Sequence, residues 1–398
     1  MAESFKYGNG VWATKTGSSL AYNDENDNYK PLPFSVTRDS IATRVNKQGL
    51  IEVVGKDKLR IDYKDSSNGV ALLEPARTNV LIYSQGFSQS VWNTGSTRSV
   101  TFEPTSTIDP EGKTNAYRMT STAKDNQVAS VTLISSGTTY TGSIYVKRVS
   151  GTGNVIIRDV NNNANEYSLL PSDGWKRISA TAQSNSTNGR LYVNLNTVGD
   201  SIEIWGAQLE AGSYATSYIP TSGSAVPRAA DVANGAGNSE VFNDSEGVLF
   251  AEVSGLSADS DTKRISISDG TSSNRVTIYL LNNAIGFVQV SAGSVNINTN
   301  FTGYDAKLSH KIIAKYKEND FALWVNGYEI FTDTSGNAYA EGVLDTLNFD
   351  DGYGGNDFYG KAKRIGYFDA VLTDAELEAL TSYTSFTNMA NELNLTIK

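Results

Sequence analysis

The sequence contains no cysteine, only three methionines and a single histidine among its 398 residues. The lack of cysteine excludes disulfides, thiolate metal sites and cysteine nucleophiles. The one histidine, His310, excludes a metal site built on several histidines, and a serine–histidine–aspartate triad would have to use it. No G-x-S-x-G motif accompanies it. We therefore expect His310 to have a structural role.

Basic residues are in deficit, with 33 lysines and arginines against 43 acidic residues and a net charge of −10. A nucleic-acid-binding protein normally presents a basic face, so no nucleic-acid partner is expected. No run of 18 apolar residues occurs, and the N-terminal sequence MAESFKYGNGVW lacks an apolar core. We therefore expect neither membrane insertion nor a signal peptide.

The abundant residues are those of short strands joined by polar turns, with 35 glycines, 21 tyrosines and 14 phenylalanines. Apolar and polar residues alternate repeatedly along the chain, for example in Thr141–Lys147, where Ile144 and Val146 would face inward. The predicted fold class is all-β. It comprises an N-terminal arm and a small β-meander, followed by two β-sandwich (jelly-roll) domains and a short C-terminal helix.

Shifts in composition and periodicity predict six segments. Asn326-Gly327 predicts a type I′ hairpin, and Thr373 with Glu376 forms a capping box that would open a helix over about 374–381. The six segments are a docking arm (1–33), a β-meander collar (34–79), a first sandwich (80–221), a linker (222–246), a second sandwich (247–383) and a C-terminal tail (384–398).

One acidic, glycine-rich loop, NFDDGYGGNDFYG, is the best candidate for ligand binding. It has two interpretations, a solvated flexible loop or a rim site on the second sandwich. In the second interpretation the carboxylates could hold Ca²⁺, which prefers oxygen ligands, and the tyrosines could stack on sugars. The side chains concerned are those of Asp350, Asp351, Tyr353, Asp357 and Tyr359. No other cofactor is expected, and no other metal site is predicted.

The five tryptophans and two of the arginines are expected to have structural roles. Trp92, Trp175, Trp205 and Trp324 lie in or beside predicted strands and are expected in cores, whereas Trp12 in the polar arm is expected to dock into a neighbouring subunit. Two loop arginines stand close to acids along the chain and are expected to clamp crossovers by bidentate pairing. The two pairs are Glu74 with Arg77 and Arg228 with Asp231.

Two phrases flank the first sandwich and resemble recurring phrases of bacteriophage tail-fibre, tail-spike and head-spike proteins. They are GVALLEPARTN, at 69–79, and WGAQLEAGSYATSYIPT, at 205–221. Within the first sandwich, Trp92 and the segments Ser143–Lys147, Gly174–Ser179 and Ile202–Gly206 resemble a carbohydrate-binding module. In the second, Lys311–Tyr316, Phe321–Ile330 and Gly360–Phe368 resemble a concanavalin A-like or laminin-G-like jelly roll.

This resemblance implies a structural protein on the exterior of a phage particle, in a tail fibre, head fibre or decoration. Its partners would be other virion proteins, further copies of itself in a homo-oligomer such as a trimer, and host-surface polysaccharide. The family pattern has no shared catalytic residues, so a non-enzymatic role in host attachment is the first hypothesis. A polysaccharide depolymerase spike using paired carboxylates and a purely structural virion joint are the alternatives.

Overall fold

The computed structural model describes residues 3–8, 12–15, 18–23, 29–30, 32–92, 100–122 and 126–397. The chain is nearly all β, as the sequence predicts, with two short α-helices near its C-terminus. No helix in the described ranges combines the length and apolarity that a membrane crossing requires.

The strands are short and separated mostly by polar turns. The first twenty are β1 (Phe5–Gly8), β2 (Trp12–Lys15), β3 (Ser18–Asn23), β4 (Tyr29–Lys30), β5 (Ser35–Thr37), β6 (Ala42–Val45), β7 (Ile51–Val54), β8 (Arg60–Asp62), β9 (Val70–Leu73), β10 (Arg77–Asn79), β11 (Val100–Pro104), β12 (Tyr117–Ser121), β13 (Asn126–Leu133), β14 (Thr139–Ser150), β15 (Val155–Arg158), β16 (Ala164–Tyr167), β17 (Lys176–Gln183), β18 (Asn188–Leu195), β19 (Ser201–Ala211) and β20 (Val226–Arg228).

The rest of the chain continues the pattern and ends in the two helices. These elements are β21 (Val232–Asn234), β22 (Glu246–Gly255), β23 (Lys263–Ser268), β24 (Arg275–Leu281), β25 (Ala284–Ser291), β26 (Ser294–Thr302), β27 (His310–Lys317), β28 (Phe321–Val325), β29 (Tyr328–Asp333), β30 (Thr346–Asn348), β31 (Gly360–Phe368), α1 (Asp374–Thr381) and α2 (Phe386–Glu392).

The chain forms two compact units, each built from several stretches of sequence. Unit 1 comprises Met1–Arg38, Val54–Pro75 and Ala230–Lys398, and unit 2 comprises Asp39–Val53 and Ala76–Ala229. Each unit buries an extensive apolar core of its own.

Unit 1 is a sandwich of two antiparallel sheets. The larger sheet has the strand order β29-β28-β27-β22-β31-β9-β8, with β1 also paired to β31, and the smaller has the order β26-β25-β24-β23-β30. Because successive side chains of a strand point to opposite faces, Ile265 and Ile267 of β23 enter the core together with Val276 and Ile278 of β24. The residues between them therefore point away from that core, onto the outer face of the smaller sheet.

The predicted hairpin and helix of unit 1 are both confirmed. Asn326 and Gly327 have φ values of 52° and 92°, the left-handed backbone that a type I′ turn requires. At the start of α1 the Thr373 N–H donates to Glu376 Oε2 at 2.9 Å. Leu377 of this helix packs on part of the outer face of the larger sheet.

Unit 2 is also a sandwich. One sheet has the order β11-β12-β19-β14-β17 and the other has the order β13-β18-β15-β16. Their facing side chains, such as Ile144, Val146 and Leu191, form the core of the unit. Ile144 and Val146 thus face inward, as the alternation of β14 predicts. The hairpin of β6 and β7 and the short pair of β10 and β20 complete the unit.

The observed units divide the chain differently from the six predicted segments. The stretch predicted as a separate collar contributes β8 and β9 to the larger sheet of unit 1, whereas β6 and nearly all of β7 belong to unit 2. The stretch predicted as a linker contains β20, which pairs with β10, and β21, which pairs with β5. The predicted tail contains α2.

The predicted N-terminal arm also contributes to the core of unit 1. Phe5 and Tyr7 of β1 are buried there, and the Tyr7 ring meets the Phe34 ring edge to face at 4.7 Å. The expectation of a segment poor in core residues failed because alternation over four residues is too short to distinguish a strand from a loop.

Candidate functional site

The acidic loop, residues 350–359, is shaped by its own carboxylates. Asp351 Oδ1 accepts the Gly355 N–H at 2.9 Å, and Asp351 Oδ2 accepts the Asn356 side-chain amide at 2.7 Å. Asp350 accepts the Gly352 N–H at 2.6 Å and the Asn234 amide at 2.8 Å. Both aspartates are buried, so these carboxylates order the loop and do not point into solvent.

Burial also changes the ionisation of this loop. It raises the pKa of the Asp350 carboxyl, and the nearby negative charges of Asp351 and Asp357 raise it further. Asp357 is partly exposed and accepts a hydrogen bond from the Tyr359 hydroxyl at 2.7 Å. Across the described ranges, no group of three or more histidine, cysteine, aspartate or glutamate side chains is placed to hold a metal ion.

The acidic loop lies on the outer face of the smaller sheet of unit 1. Gly352 has a φ of 91°, and a Cβ atom there would lie 2.8 Å from the side chain of Ser268 on β23. The Ser268 hydroxyl donates to the Gly352 carbonyl at 2.9 Å. Glycine is therefore required at position 352, because only a residue without a side chain lets the loop approach the strand this closely.

Tyr353 is the exposed aromatic residue of the acidic loop. Half of its surface is accessible (50%), and the Arg275 guanidinium lies 5.0 Å from the centre of its ring. Arg275 is on β24, so this contact ties the tip of the loop to the sheet. A tyrosine in this position offers an apolar ring surface and a hydroxyl to the solvent.

Polar side chains continue from Tyr353 across the outer face of the smaller sheet. The Arg264 guanidinium lies 5.2 Å over the Tyr279 ring, and the Tyr279 hydroxyl donates to the Thr299 carbonyl at 3.2 Å. We call this surface the polar face. Its members are Arg264, Ser266, Arg275, Thr277, Tyr279, Asn298 and Asn300, at outward positions of β23, β24 and β26. On β25, between β24 and β26, Val288 and Val290 are apolar and are buried in a cluster with Tyr279.

Two hydroxyls of the polar face have no hydrogen-bond partner among the described residues. Ser266 and Thr277 are opposite each other on β23 and β24, and both are fully buried. An unsatisfied buried polar group costs on the order of 1–3 kcal/mol. The polar face therefore has the exposed Tyr353 ring at its edge, two guanidinium groups stacked on aromatic rings, and two unsatisfied hydroxyls that are buried.

The predicted clamp acids are found in a buried ionic cluster in unit 1. Asp231 accepts from Arg38 at 2.7 Å and also pairs with Arg60, which in turn donates to Glu74 at 2.7 Å. Burial lowers the pKa of the Arg60 guanidinium, but the charges of Asp231 and Glu74 outweigh that effect and raise it overall. The sequence did not identify Arg38 and Arg60 as partners of these acids.

The predicted clamp arginines are both in unit 2. The backbone of Arg77 pairs with that of Arg228 between β10 and β20. The Arg77 side chain lies 3.9 Å from Glu210 and 5.6 Å from the ring centre of Tyr214. Arg228 is buried and donates to the Ser217 hydroxyl at 2.8 Å.

Asn79, the last residue of the phrase at 69–79, connects that phrase to the one at 205–221. Its side-chain amide donates to the carbonyls of Ala207 and Ile219 at 3.2 and 2.9 Å. Its oxygen accepts the N–H groups of Leu81 and Leu209 at 3.2 and 3.1 Å. One fully buried side chain therefore satisfies four backbone groups, a role the sequence reasoning missed.

The second phrase is held by similar internal bonds. Glu210 is buried, which raises the pKa of its carboxyl, and it accepts the N–H and hydroxyl of Thr216 at 2.9 and 2.6 Å. Gln208 accepts the Ile219 N–H at 2.7 Å, and the Tyr218 hydroxyl meets Ser84 at 2.7 Å. The residues of this phrase thus set the path of the backbone.

The tryptophans and the histidine largely follow expectation. Trp92, Trp205 and Trp324 are buried, as predicted, whereas Trp175 is only partly buried. The side chain of Trp12, the predicted docking residue, lies outside the described part of the chain.

His310 is buried between two polar partners. Its Nε2 lies 2.9 Å from the Asp305 carbonyl, and its Nδ1 lies 3.0 Å from the Asn326 amide nitrogen. The Lys311 N–H donates to the Asn326 oxygen at 3.0 Å, which fixes the amide orientation, so Nδ1 accepts and Nε2 donates. The structural role expected for His310 is confirmed.

Comparison with solved structures finds partial likenesses to other β-proteins. The CBM40 of the Ruminococcus gnavus IT-sialidase matches with 19% identity and a TM-score of 0.32, covering 37% of this chain and 94% of that one. A leech intramolecular trans-sialidase matches with 18% identity and a TM-score of 0.32, covering 38% of this chain and 27% of that one.

A third likeness is to the receptor-binding domain of botulinum neurotoxin mosaic serotype C/D. It has 14% identity and a TM-score of 0.30, and it covers 38% of this chain and 39% of that chain. No protein-family model matches the sequence. No curated protein matches it either.

Proposed function

We propose that this chain is a non-enzymatic carbohydrate-binding protein of the exterior of a phage particle, which attaches the particle to host-surface polysaccharide. The observation that supports the binding role is the half-exposed Tyr353 ring held beside Arg275 at the edge of the polar face. An aromatic ring packs against the C–H face of a hexose, and nearby donors and acceptors then orient the sugar hydroxyls.

The polar face supplies those donors and acceptors. The exposed amides of Asn298 and Asn300 offer both kinds of group. The face lies on a rigid sheet, so little side-chain freedom is lost on binding. Single contacts would be weak, and the many copies displayed by a particle would supply avidity.

The virion location rests on the resemblance of the phrases at 69–79 and 205–221 to phage appendage proteins. In this proposal the partners are other virion proteins and further copies of the same chain in a homo-oligomer, for which a trimer is the expected state. Sedimentation of the purified protein measures that state directly.

The non-enzymatic role is supported by what the loop acids contact. A glycosidase needs one carboxylic acid and one carboxylate free to face the scissile bond. Asp350 and Asp351 instead accept hydrogen bonds from their own loop and are buried, and Asp357 accepts from Tyr359. We also propose that this loop can take Ca²⁺ as an optional ligand.

The test is binding of the purified protein to bacterial cells and to their extracted surface polysaccharides, with reducing ends assayed in the same samples. The proposal predicts retention of the protein without sugar release, and an added chelator reports whether Ca²⁺ is needed. Release of oligosaccharide would favour the depolymerase. Neither binding nor release would favour a structural joint.

A further inference from the structure

A second concave site lies in unit 1, on the outer face of the larger sheet and on the opposite side of the sandwich from the polar face. It is a cleft of about 550 Å³ between the outer residues of β22 and β31, the turn before β9 and the end of α2. Clefts of this volume are typical of small-molecule sites. It is independent of the Tyr353 surface.

Three lysines line this cleft, although the net charge of the chain is −10, and we call it the lysine cleft. Lys361 and Lys363 belong to β31, and Lys307 comes from the loop before β27. Lys363 is paired with two acids, with Glu392 Oε1 at 2.5 Å and Glu252 Oε1 at 3.5 Å. It fixes the end of α2 against the sheet.

The other two lysines retain donors for a ligand. Lys361 pairs with Asp65, which uses one of the three N–H groups of its ammonium. Lys307 is 58% exposed, and its nearest carboxylate oxygen, on Asp305, is 3.8 Å away, beyond hydrogen-bond distance. Within the described residues these two ammonium groups therefore have unused hydrogen-bonding capacity inside the cleft.

The remainder of the lining comprises two acids, Asp65 and Glu392, which are paired with Lys361 and Lys363, and otherwise uncharged residues. It includes the amides of Asn391 and Asn394 and the hydroxyls of three serines, with two apolar residues, Val70 and Leu308. Amides and hydroxyls both donate and accept, which suits a ligand covered with hydroxyl groups better than an acidic peptide. The ammonium groups add a preference for a negative charge on that ligand.

We infer that the lysine cleft binds a saccharide that carries carboxylate groups, with Lys307 and Lys361 contacting a carboxylate and the amides of Asn391 and Asn394 contacting hydroxyls. The chain would thus have two sugar sites of different character. The polar face would bind through ring stacking, and the lysine cleft through charge.

The test is a titration of the full-length, isotope-labelled protein with trigalacturonic acid, followed by NMR and by calorimetry. Its methyl ester is the matched neutral probe, with the same hydroxyls and no charge. We expect the acid to shift the amide signals of Ser254, Asn391 and Asn394, and the ester to bind at least about tenfold more weakly. Binding of the acid should weaken as salt is raised.

Three variants test whether the sugar acid binds in the lysine cleft or elsewhere on the protein surface. Lys307→Gln removes one exposed charge without touching a core and should weaken binding of the acid at least about fivefold. Lys113→Gln changes a lysine that is similarly exposed (64%) in unit 2, and should leave binding unchanged. Tyr353→Ala should also leave it unchanged, because the polar face is elsewhere.

Four results would overturn the inference. They are no binding of trigalacturonic acid up to about 10 mM, equal binding of acid and ester, unchanged binding by Lys307→Gln, and tighter binding of a triglutamate peptide than of the sugar acid. Loss of binding in Tyr353→Ala would place the sugar acid on the polar face instead.

Discussion

His310 shows how one buried side chain makes stability depend on pH. Burial lowers the pKa of its imidazole, and the Asn326 amide, which donates to Nδ1, leaves no acceptor for a second ring proton. The unfolded chain therefore binds this proton more readily than the folded protein does. The stabilisation is complete above the ordinary histidine pKa of about 6.5, and it is lost as the pH falls from that value through the lower pKa of the folded protein.

We accordingly predict that the free energy of unfolding falls as the pH decreases below about 6.5, the ordinary histidine pKa, towards the lower pKa of the folded protein. Urea titrations at a series of pH values measure it, and the His310→Gln variant should show a clearly shallower dependence over the same window. Identical slopes for the two proteins would show that another group is responsible.

Asn79 carries the second prediction at this scale. Asn79→Ala leaves two buried N–H groups and two buried carbonyls without their partner, so unfolding of unit 2 should become easier by about 3–4 kcal/mol. Asn185→Ala removes an exposed amide of the same unit and should change stability by less than about 0.5 kcal/mol. Denaturant unfolding of the two variants compares them, and equal stabilities would contradict the role assigned to Asn79.

These residue roles could be predicted only in part from the sequence. A lone histidine without a nucleophile motif indicates a structural role, and the structure supplies the reason. Asn79 could be recognised as part of a phrase but not as a hub, because its four partners are two residues and about 130 to 140 residues away along the chain. Spacing in sequence carries no information about such contacts.

At the scale of elements, the buried cluster of Arg38, Arg60, Glu74 and Asp231 links β8, the loop after β9 and the loop before β21. Asp231→Ala leaves two buried guanidinium groups with less compensating charge. It should therefore lower the free energy of unfolding by about 3–5 kcal/mol. Lys317→Ala breaks a solvent-exposed pair with Glu246 in the same unit and should destabilise the protein far less, because water screens that pair. Thermal unfolding compares the two variants. Similar losses of stability would contradict the view that burial makes the Asp231 cluster the more important of the two.

Strands in which apolar and polar residues alternate could be predicted from the sequence. Short strands that form only because they pair with a neighbouring strand could not. The second sandwich predicted over 247–383 contains the strands β22 to β31, and the predicted helix over Asp374–Thr381 is present. In contrast, β16 has the sequence ANEY, with mostly exposed residues, and escaped prediction. Local alternation reports which face of a strand is buried, so a strand without a buried stripe gives no signal.

For the candidate site, the sequence indicated the loop and its tyrosines, but not the inward orientation of its aspartates. The sequence indicated the acidic loop, but gave its aspartates the ligand role because carboxylates are usually exposed. In the structure Asp350 and Asp351 turn inward onto N–H groups, and Tyr353 faces outward. The polar face is formed by strands that are far from the loop along the chain. The sequence spacing of its residues therefore could not have indicated that they share one surface with the loop.

At the scale of the whole molecule, neither unit is a continuous piece of chain. Unit 1 takes β1, β5, β8, β9 and β21 from residues before its main stretch of strands. A fragment of residues 247–398, the domain boundary that composition suggests, would leave β31 without β1 and β9 and the core without Phe5 and Tyr7.

We predict that this fragment does not fold cooperatively on its own, because an exposed edge and an open core lose several kcal/mol of burial. Circular dichroism during heating, and dispersion of amide signals in NMR, measure the outcome against the full-length chain. A sharp thermal transition for the fragment would contradict the assignment of β1 and β9 to this core.

In the proposed function, the outer face of the smaller sheet binds saccharide through Tyr353 at the edge of the polar face. The most direct measurement is the affinity of the intact protein for whichever surface polysaccharide retains it, compared with Tyr353→Ala and Tyr328→Ala. Tyr328 is 74% exposed on β29 of the other sheet and is the matched control. The account predicts at least about tenfold weaker binding for Tyr353→Ala and no change for Tyr328→Ala. Equal binding by all three proteins would contradict it.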